Sequence, residues 1–321
     1  MSGKFWQIRS SAIKVMSISQ KSILVIGSSN TDMVIKANHF PVPGETILGG
    51  EFFMFPGGKG ANQAVAASRL GGNVTFIAKV GSDIFGEQAL QQFKKESINT
   101  EFIISDKEHP SGVALITVDS KGENTIVVAQ GANGALSPTD IQKADKEFER
   151  ADIVLMQLEI PIETVEYVVK RTKYFNKKLI LNPAPAQPLP DELIKGLFII
   201  TPNESEAEIL LGIKITDTNS VQIAAKKLYE KGVANVVITL GSEGAYIYNK
   251  DAGRLIPTTK VMPVDTTAAG DVFNGALAVA IAENKSLDEA VEFANRAAAI
   301  SVTRMGAQSS APFRNELQNS L

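Results

Sequence analysis

Residues 61–80 read ANQAVAASRLGGNVTFIAKV. The first half is a run of small residues suited to a helix lying close against a neighbour, and Gly71-Gly72 ends it. The second half, NVTFIAKV at 73–80, is a short apolar run of the kind that forms a buried strand. Upstream, SILVIG at 22–27 is another β-branched apolar run. Outward from this unit the rhythm repeats. Buried strands are predicted at 152–158 (DIVLMQL), 178–181 (KLIL), 197–200 (LFII) and 235–240 (NVVITL). Helical patterns fall at 85–96, 162–174, 204–211 and 221–231, and 269–283 and 287–303 form two closing helices. Apolar strands alternating with helices predict an α/β fold: a Rossmann-like, mostly parallel central sheet flanked by helices on both faces.

Two stretches break the rhythm. Residues 32–37 and 45–53 are short and extended, separated by Pro41, Pro43 and Gly44. Residues 112–130, GVALITVD-SKGE-NTIVVAQ, read as a hairpin turning at 120–123. Together they suggest a small antiparallel sheet standing off the main one. Residues 1–20, MSGKFWQIRSSAIKVMSISQ, carry Lys4, Arg9 and Lys14 and no acid. They read as an N-terminal extension, a tail or added leader outside the domain, despite a loose likeness to a transit peptide. The folded domain is expected over 21–321.

The 321 residues include 32 Lys plus Arg and 35 Asp plus Glu, a net charge of −3. That balance argues against a protein that coats nucleic acid. No apolar run reaches the roughly 18 residues of a membrane span. With Cys 0, thiolate nucleophiles, disulfides and Cys-ligated metals are excluded. The two His, His39 and His109, sit beside prolines and read as exposed loop residues, and no two-His zinc motif is present. Acid–base chemistry would fall to a carboxylate.

Six short stretches could carry chemistry. Residues 264–271, VDTTAAGD, open the helix VFNGALAVAIA. Small residues at a helix N-terminus let backbone N–H groups converge on an anion. Asp271 there is either a helix-start acid or a base held against a phosphate's acceptor. Residues 55–63, FPGGKGANQ, place three Gly ahead of a helix, with Lys59 and Asn62 available for polar contacts. Gly60 follows Lys59, so this is not a Walker A loop; it is a ligand loop or a structural turn. Asn30-Thr31-Asp32 follows the first strand, as a turn or a ligand loop, and Glu159 ends another, as an exposed acid or a hydroxyl acceptor; such strand ends carry ligands in open α/β sheets. Asn203 and Glu206 share a helical face, as a cap or as partners of hydrated Mg²⁺ or phosphate. Residues 239–244, TLGSEG, either line a nucleotide or merely turn the chain.

In this order the stretches resemble the ribokinase branch of the PfkB sugar-kinase family, from about residue 22 to 313. The likeness rests on GGKGANQAVAASRLG at 57–71 and DTTAAGDVFNGAL at 265–277. The resemblance implies a ribokinase-like fold whose β lid, about 32–53 and 111–131, covers the sugar and pairs two copies as a homodimer. It implies transfer of a phosphoryl group from ATP to the 5-hydroxyl of D-ribose, with Mg²⁺ and an activating K⁺, in the cytoplasm, with no nucleic-acid or membrane partner. Asp271 matches the catalytic base, and Ala268, Ala269 and Gly270 the anion-hole amides. Many relatives have Gly where Ala268 stands; a methyl there is expected only if the backbone needs no positive φ. Sugar contacts would come from Asn30, Thr31, Asp32, Gly58, Lys59, Gly60, Ala61, Asn62 and Glu159. Nucleotide contacts would come from Asn203, Glu206, Thr239, Leu240, Gly241, Ser242, Glu243, Gly244, Gly270, Asp271 and Asn295, the last often His in relatives. The cation would meet Asp265, Thr267, Ser301, Arg304, Gly306 and Ser310, Arg304 only by its carbonyl. Rival readings are a kinase of deoxyribose, fructose or a nucleoside, or a non-catalytic sugar-binding regulator; an intact Asp271 argues against the last.

Overall fold

The computed structural model describes residues 21–250 and 252–319, so the extension expected at 1–20 lies outside the described residues. Strand β1 (Ser22–Ile26) leads to β2 (Asn30–Lys36) and β3 (Glu51–Gly57), and α1 (Lys59–Arg69) returns the chain to β4 (Asn73–Gly81). Helix α2 (Ile84–Lys95) is followed by β5 (Ile103–Asp106), β6 (Gly112–Val118) and β7 (Asn124–Ala129). Short helices α3 (Pro138–Gln142) and α4 (Asp145–Arg150) precede β8 (Ile153–Met156) and α5 (Ile162–Tyr174). Then come β9 (Lys178–Leu181), α6 (Asp191–Ile194), β10 (Ile199–Ile200), α7 (Glu204–Leu211) and α8 (Thr218–Glu230). Strands β11 (Asn235–Thr239), β12 (Ala245–Asn249) and β13 (Ala252–Ile256) and helices α9 (Ala269–Ala282), α10 (Leu287–Ser301) and α11 (Arg314–Asn319) complete the order.

The main sheet runs β13-β12-β11-β10-β9-β8-β1-β4-β5. It is parallel from β11 to β5 and antiparallel at the β12 and β13 edge. Both faces are covered. In β1, Ile23 and Val25 enter one core with α1 and α9, while Leu24 and Ile26 enter the other with α5 and α8. This is why the strand is apolar at every position rather than at alternate ones.

The off-rhythm stretches form a separate sheet, β3-β2-β6-β7. Its outer pairs, β2 with β3 and β6 with β7, are antiparallel as expected. The central pair, β2 with β6, is parallel, because both strands leave the main sheet side by side in register from Asn30↔Gly112 to Lys36↔Val118. Residues 45–50 are not strand; β3 starts at Glu51 and runs on to Gly57, at the start of α1. Among the described residues no helix is long and apolar enough to cross a membrane.

Candidate active site

The glycine loop before α1 is set by two backbones that nearly touch. Gly58, the N-cap of α1, has φ 89°, and a side chain there would lie 2.6 Å from the Asn30 nitrogen. At Gly60 a Cβ would lie 2.6 Å from the Ser28 nitrogen. Both positive φ and close approach therefore demand glycine. At Gly57 a Cβ would run into the Asp32 carboxylate at 2.2 Å, so Asp32 packs on the bare backbone.

This approach gathers the polar groups predicted from the sequence. Glu159 Oε2 accepts from the Lys59 backbone N–H at 3.0 Å and from the Ser28 hydroxyl. Asn30 Oδ1 accepts from Asn133 Nδ2 at 2.8 Å. Asn133 Oδ1 accepts the Ser29 N–H at 2.9 Å, so it ties the two chain segments at the base of the lid. Asp271 is 6% exposed; Oδ2 accepts from Asn62 Nδ2 at 2.9 Å and Oδ1 from Gln63 Nε2 at 3.0 Å. Asn62 Oδ1 is buried without a partner, an acceptor suited to a hydroxyl. Thr31 is half-buried on β2, and Ala61 contributes backbone within α1.

The electrostatics centre on Lys59. Burial opposes its charge, but Asp271, Glu159, Glu206 and Asp32 outweigh it and its pKa is raised. Burial raises the pKa of Asp271 against the pull of Lys59, Asn62 and Gln63. Burial, Glu159 and Asp271 raise that of Asp32 to about 6. Burial raises that of Glu206, opposed by the Asn203 N–H and by Lys59.

Asp271 lies in the first turn of α9, where N–H groups have no intrahelical acceptor. Over Gly270 a Cβ would meet nothing within 4 Å. The Ala269 N–H, expected in the anion hole, is already donated to Thr266 O at 3.2 Å, so the open amides of this turn are those of Gly270 and Asp271. Ala268 has φ 60° and ψ 14°. This corrects the expectation that a methyl requires a negative φ: the turn from Thr266 O to Ala269 N forces a left-handed residue, and Ala accepts it with strain.

At the carboxyl end of β11, Asn203 bridges to Thr239, the last residue of that strand. Asn203 and Glu206 form a reciprocal capping box, each accepting the other's backbone N–H at 2.8 Å. The cap reading is thus realised, and Glu206 Oε1 remains available. Leu240 N–H bonds to Gly244 O at 2.8 Å around a turn spanning Gly241, Ser242 and Glu243. Asn295 gives both Nδ2 hydrogens to Ile256 O and Pro257 O, at 3.0 and 3.4 Å, leaving Oδ1 as its free acceptor.

Asp265 joins two loops. Its Oδ1 accepts the Thr267 N–H at 2.9 Å and its Oδ2 the Gly306 N–H at 2.8 Å. Burial works against its charge, and these bonds lower its pKa nonetheless. The hydroxyls of Ser301 and Ser310 donate to Ala298 O and Ala307 O. The Arg304 guanidinium pairs with Glu316, so only its carbonyl is left for a ligand. Among the described residues no group of three or more His, Cys, Asp or Glu could hold a metal. A cation here would rest on carbonyls and one carboxylate. His39 and His109 are exposed loop residues paired with Glu45 and Asp106, as expected.

The sequence profile of the pfkB family carbohydrate kinases matches residues 20–314. The chain belongs to this family. It is therefore a phosphotransferase acting on an alcohol group. A ribokinase of Haemophilus influenzae is 46% identical over 297 residues, 92% of this chain and 97% of that protein. A deoxyribokinase of Salmonella typhi is 37% identical over 291 residues, 90% of this chain and 95% of that protein. The solved structure of Arabidopsis thaliana ribokinase complexed with ribose and ATP superposes with a TM-score of 0.88 at 31% identity, covering 94% of this chain and 98% of that one.

For a kinase of this family the least legible residues are the buried amides. Gln63, Gln157, Asn182 and Asn133 are all buried; Gln63 closes the quoted glycine stretch with no role assigned, and the other three stand out in no motif. The available signal is a polar residue within or just past an apolar strand, such as Gln157 in DIVLMQL and Asn182 after KLIL.

Proposed function

We propose that this chain transfers the γ-phosphoryl group of ATP to the 5-hydroxyl of D-ribose, giving D-ribose 5-phosphate and ADP. The observation that carries this reading is the pairing at the start of α9. A buried carboxylate, Asp271, stands beside open space over Gly270, with the orphan acceptor Asn62 Oδ1 next to it. Asp271 takes the proton of the sugar hydroxyl as the new O–P bond forms and the bond to the ADP oxygen breaks. The raised pKa of Asp271 makes it a stronger base than an exposed carboxylate. The N-terminal amides of α9 stabilise the charge of the transferring group, where positioning and electrostatics do most of the work.

Asn30, Asp32, Lys59 and Glu159 hold the sugar. Asp32 offers both carboxylate oxygens to neighbouring hydroxyls, and Glu159 its Oε1, since Oε2 already accepts from the Lys59 N–H and the Ser28 hydroxyl. Asn203, residues 239–244 and Asn295 Oδ1 hold the nucleotide. Mg²⁺ fits the free oxygen of Glu206, and it would offset phosphate charge. K⁺ fits the Asp265 loop with the carbonyls near Ser301, Arg304, Gly306 and Ser310, a hard-oxygen set, and it would fix the anion hole. The kinase domain spans 21–321, with the lid formed by about 32–53 and 111–131. Lid residues Phe52, Met54, Leu115 and Val127 are exposed apolar side chains on one face that support a homodimer through this sheet. Dependence on ATP is consistent with a cytoplasmic setting.

The test is a panel with ATP: ribose, 2-deoxyribose, fructose, adenosine and fructose 6-phosphate. The highest kcat/KM is expected for ribose, with product phosphorylated at O5. Preference for deoxyribose would replace the substrate assignment. Absence of turnover on every sugar would favour the regulator.

A further inference from the structure

Gln63 is fully buried at 0% exposure and makes three side-chain hydrogen bonds. Its Nε2 donates to Asp271 Oδ1 and to Asn182 Oδ1, each at 3.0 Å, and its Oε1 accepts from Gln157 Nε2. A carboxylate only accepts, so the Gln63 atom facing Asp271 is the amide nitrogen. Asn182 is itself fixed, donating to Thr201 O at 3.1 Å. Thr201 donates to Asn274 Oδ1 at 2.6 Å, and Asn274 donates to Gly270 O at 2.8 Å.

The circuit thus leaves Asp271 through α1 and returns to the residue before it. Gln157, Asn182 and Thr201 each stand one residue beyond the carboxyl end of β8, β9 and β10, adjacent strands of the sheet. The sheet therefore presents a polar floor beneath the helix start. Asn62 holds the other carboxylate oxygen, on the side marked by its orphan Oδ1.

We propose that Gln63 is a positioning residue for Asp271: by holding Oδ1 it fixes the rotation of the carboxylate, so that Oδ2, which takes one bond from Asn62 Nδ2, keeps its other lone pair for the acceptor hydroxyl. The proposal rests on Asp271 being the base. Small misplacement of a catalytic group costs about 10²-fold.

Gln63→Leu removes the donor with little change in size. Gln63→Glu keeps the shape and sets a second carboxyl against Asp271. Lys59, Glu159, Asp32 and Glu206 also face Asp271 and stay unchanged. The assay measures kcat and both KM values across pH, with the folded fraction measured for each variant. Gln63→Leu is expected to lower kcat about 10–100-fold with both KM values held. In Gln63→Glu the acid limb of the kcat profile is expected to move to higher pH, because like carboxyls oppose each other's ionisation. If Gln63→Leu does not fold, the Gln63→Glu profile decides. Wild-type kcat in Gln63→Leu, or an unmoved acid limb in Gln63→Glu, overturns the proposal. Asp271→Asn is run in parallel. If it stays active, the base assignment fails and the proposal with it. If it is inactive while the Gln63 variants behave as wild type, only the positioning role fails.

Discussion

Replacing Asp32 by Asn probes the tension built into the proposed sugar pocket. Burial, then Glu159 and Asp271, raise the Asp32 pKa from 3.8 to about 6, with Lys59 pulling the other way. The unfolded chain holds this proton only at its ordinary pKa, so the native state binds it more tightly. Below about pH 4 both states are protonated and pH has no leverage. Between pH 3.8 and about 6 stability falls as pH rises, and above that the native state carries the full cost. A shift of about 2 units corresponds to about 3 kcal/mol, and partial solvent contact reduces this to about 1–3 kcal/mol. Asp32→Asn removes the titration with almost no change in shape. At pH 8 it is expected to raise Tm by about 2–4 °C, with the gain disappearing near pH 4. The same change is expected to raise the ribose KM at least about tenfold, since a hydrogen bond to a charged acceptor is lost, while the ATP KM holds. Thermal melts at both pH values and initial rates provide the assay. A variant no more stable at pH 8, or equally stabilised at both pH values, would refute the electrostatic argument. Equal losses in the two KM values would refute the sugar assignment.

Gly270→Ala places a methyl where nothing stands within 4 Å, so folding should be unaffected or slightly favoured. A phosphate approaching the first turn of α9 would meet that methyl, and kcat/KM for ATP is expected to fall at least about tenfold; wild-type kinetics would show the space is not used. Ala268→Gly removes a Cβ from a residue at φ 60° and is expected to stabilise the protein by about 1 kcal/mol with activity kept, and a lower denaturant midpoint would contradict the strain. Exchanging Na⁺ for K⁺ at constant ionic strength is expected to raise kcat, and Asp265→Ala should abolish the difference. Identical rates in the two salts would remove the cation site.

The sequence made the parallel core legible because burial leaves no choice there. β9, α5 and α7 lie at the residues expected, since wholly apolar strands and amphipathic helices advertise themselves. Strand β10 is confined to Ile199–Ile200, although Phe198 N–H still bonds to Leu179 O and Leu197 O accepts from Ala234 N–H at its entry. The β12–β13 hairpin is not legible in the sequence; Lys250 takes its left-handed turn at φ 48°, with no glycine to mark it. The carboxylates and the glycine loop were readable from their motifs. Gln63 was not assigned a role, because its partner Asp271 stands 208 residues away and only the fold joins them. The φ of Ala268 is also hidden, because the turn closed between Thr266 O and Ala269 N, not the residue's own preference, sets that backbone.

Proton transfer from the sugar hydroxyl to Asp271 is the step on which the proposed reaction depends. Asp271→Asn preserves size and the first turn of α9 while removing the base. Ribose-dependent ADP formation, measured beside ATP binding to the same protein, is the direct test. Turnover is expected to fall by about 10²–10⁴-fold with nucleotide affinity unchanged. Turnover near that of the parent, in a folded variant that binds ATP, would contradict the account.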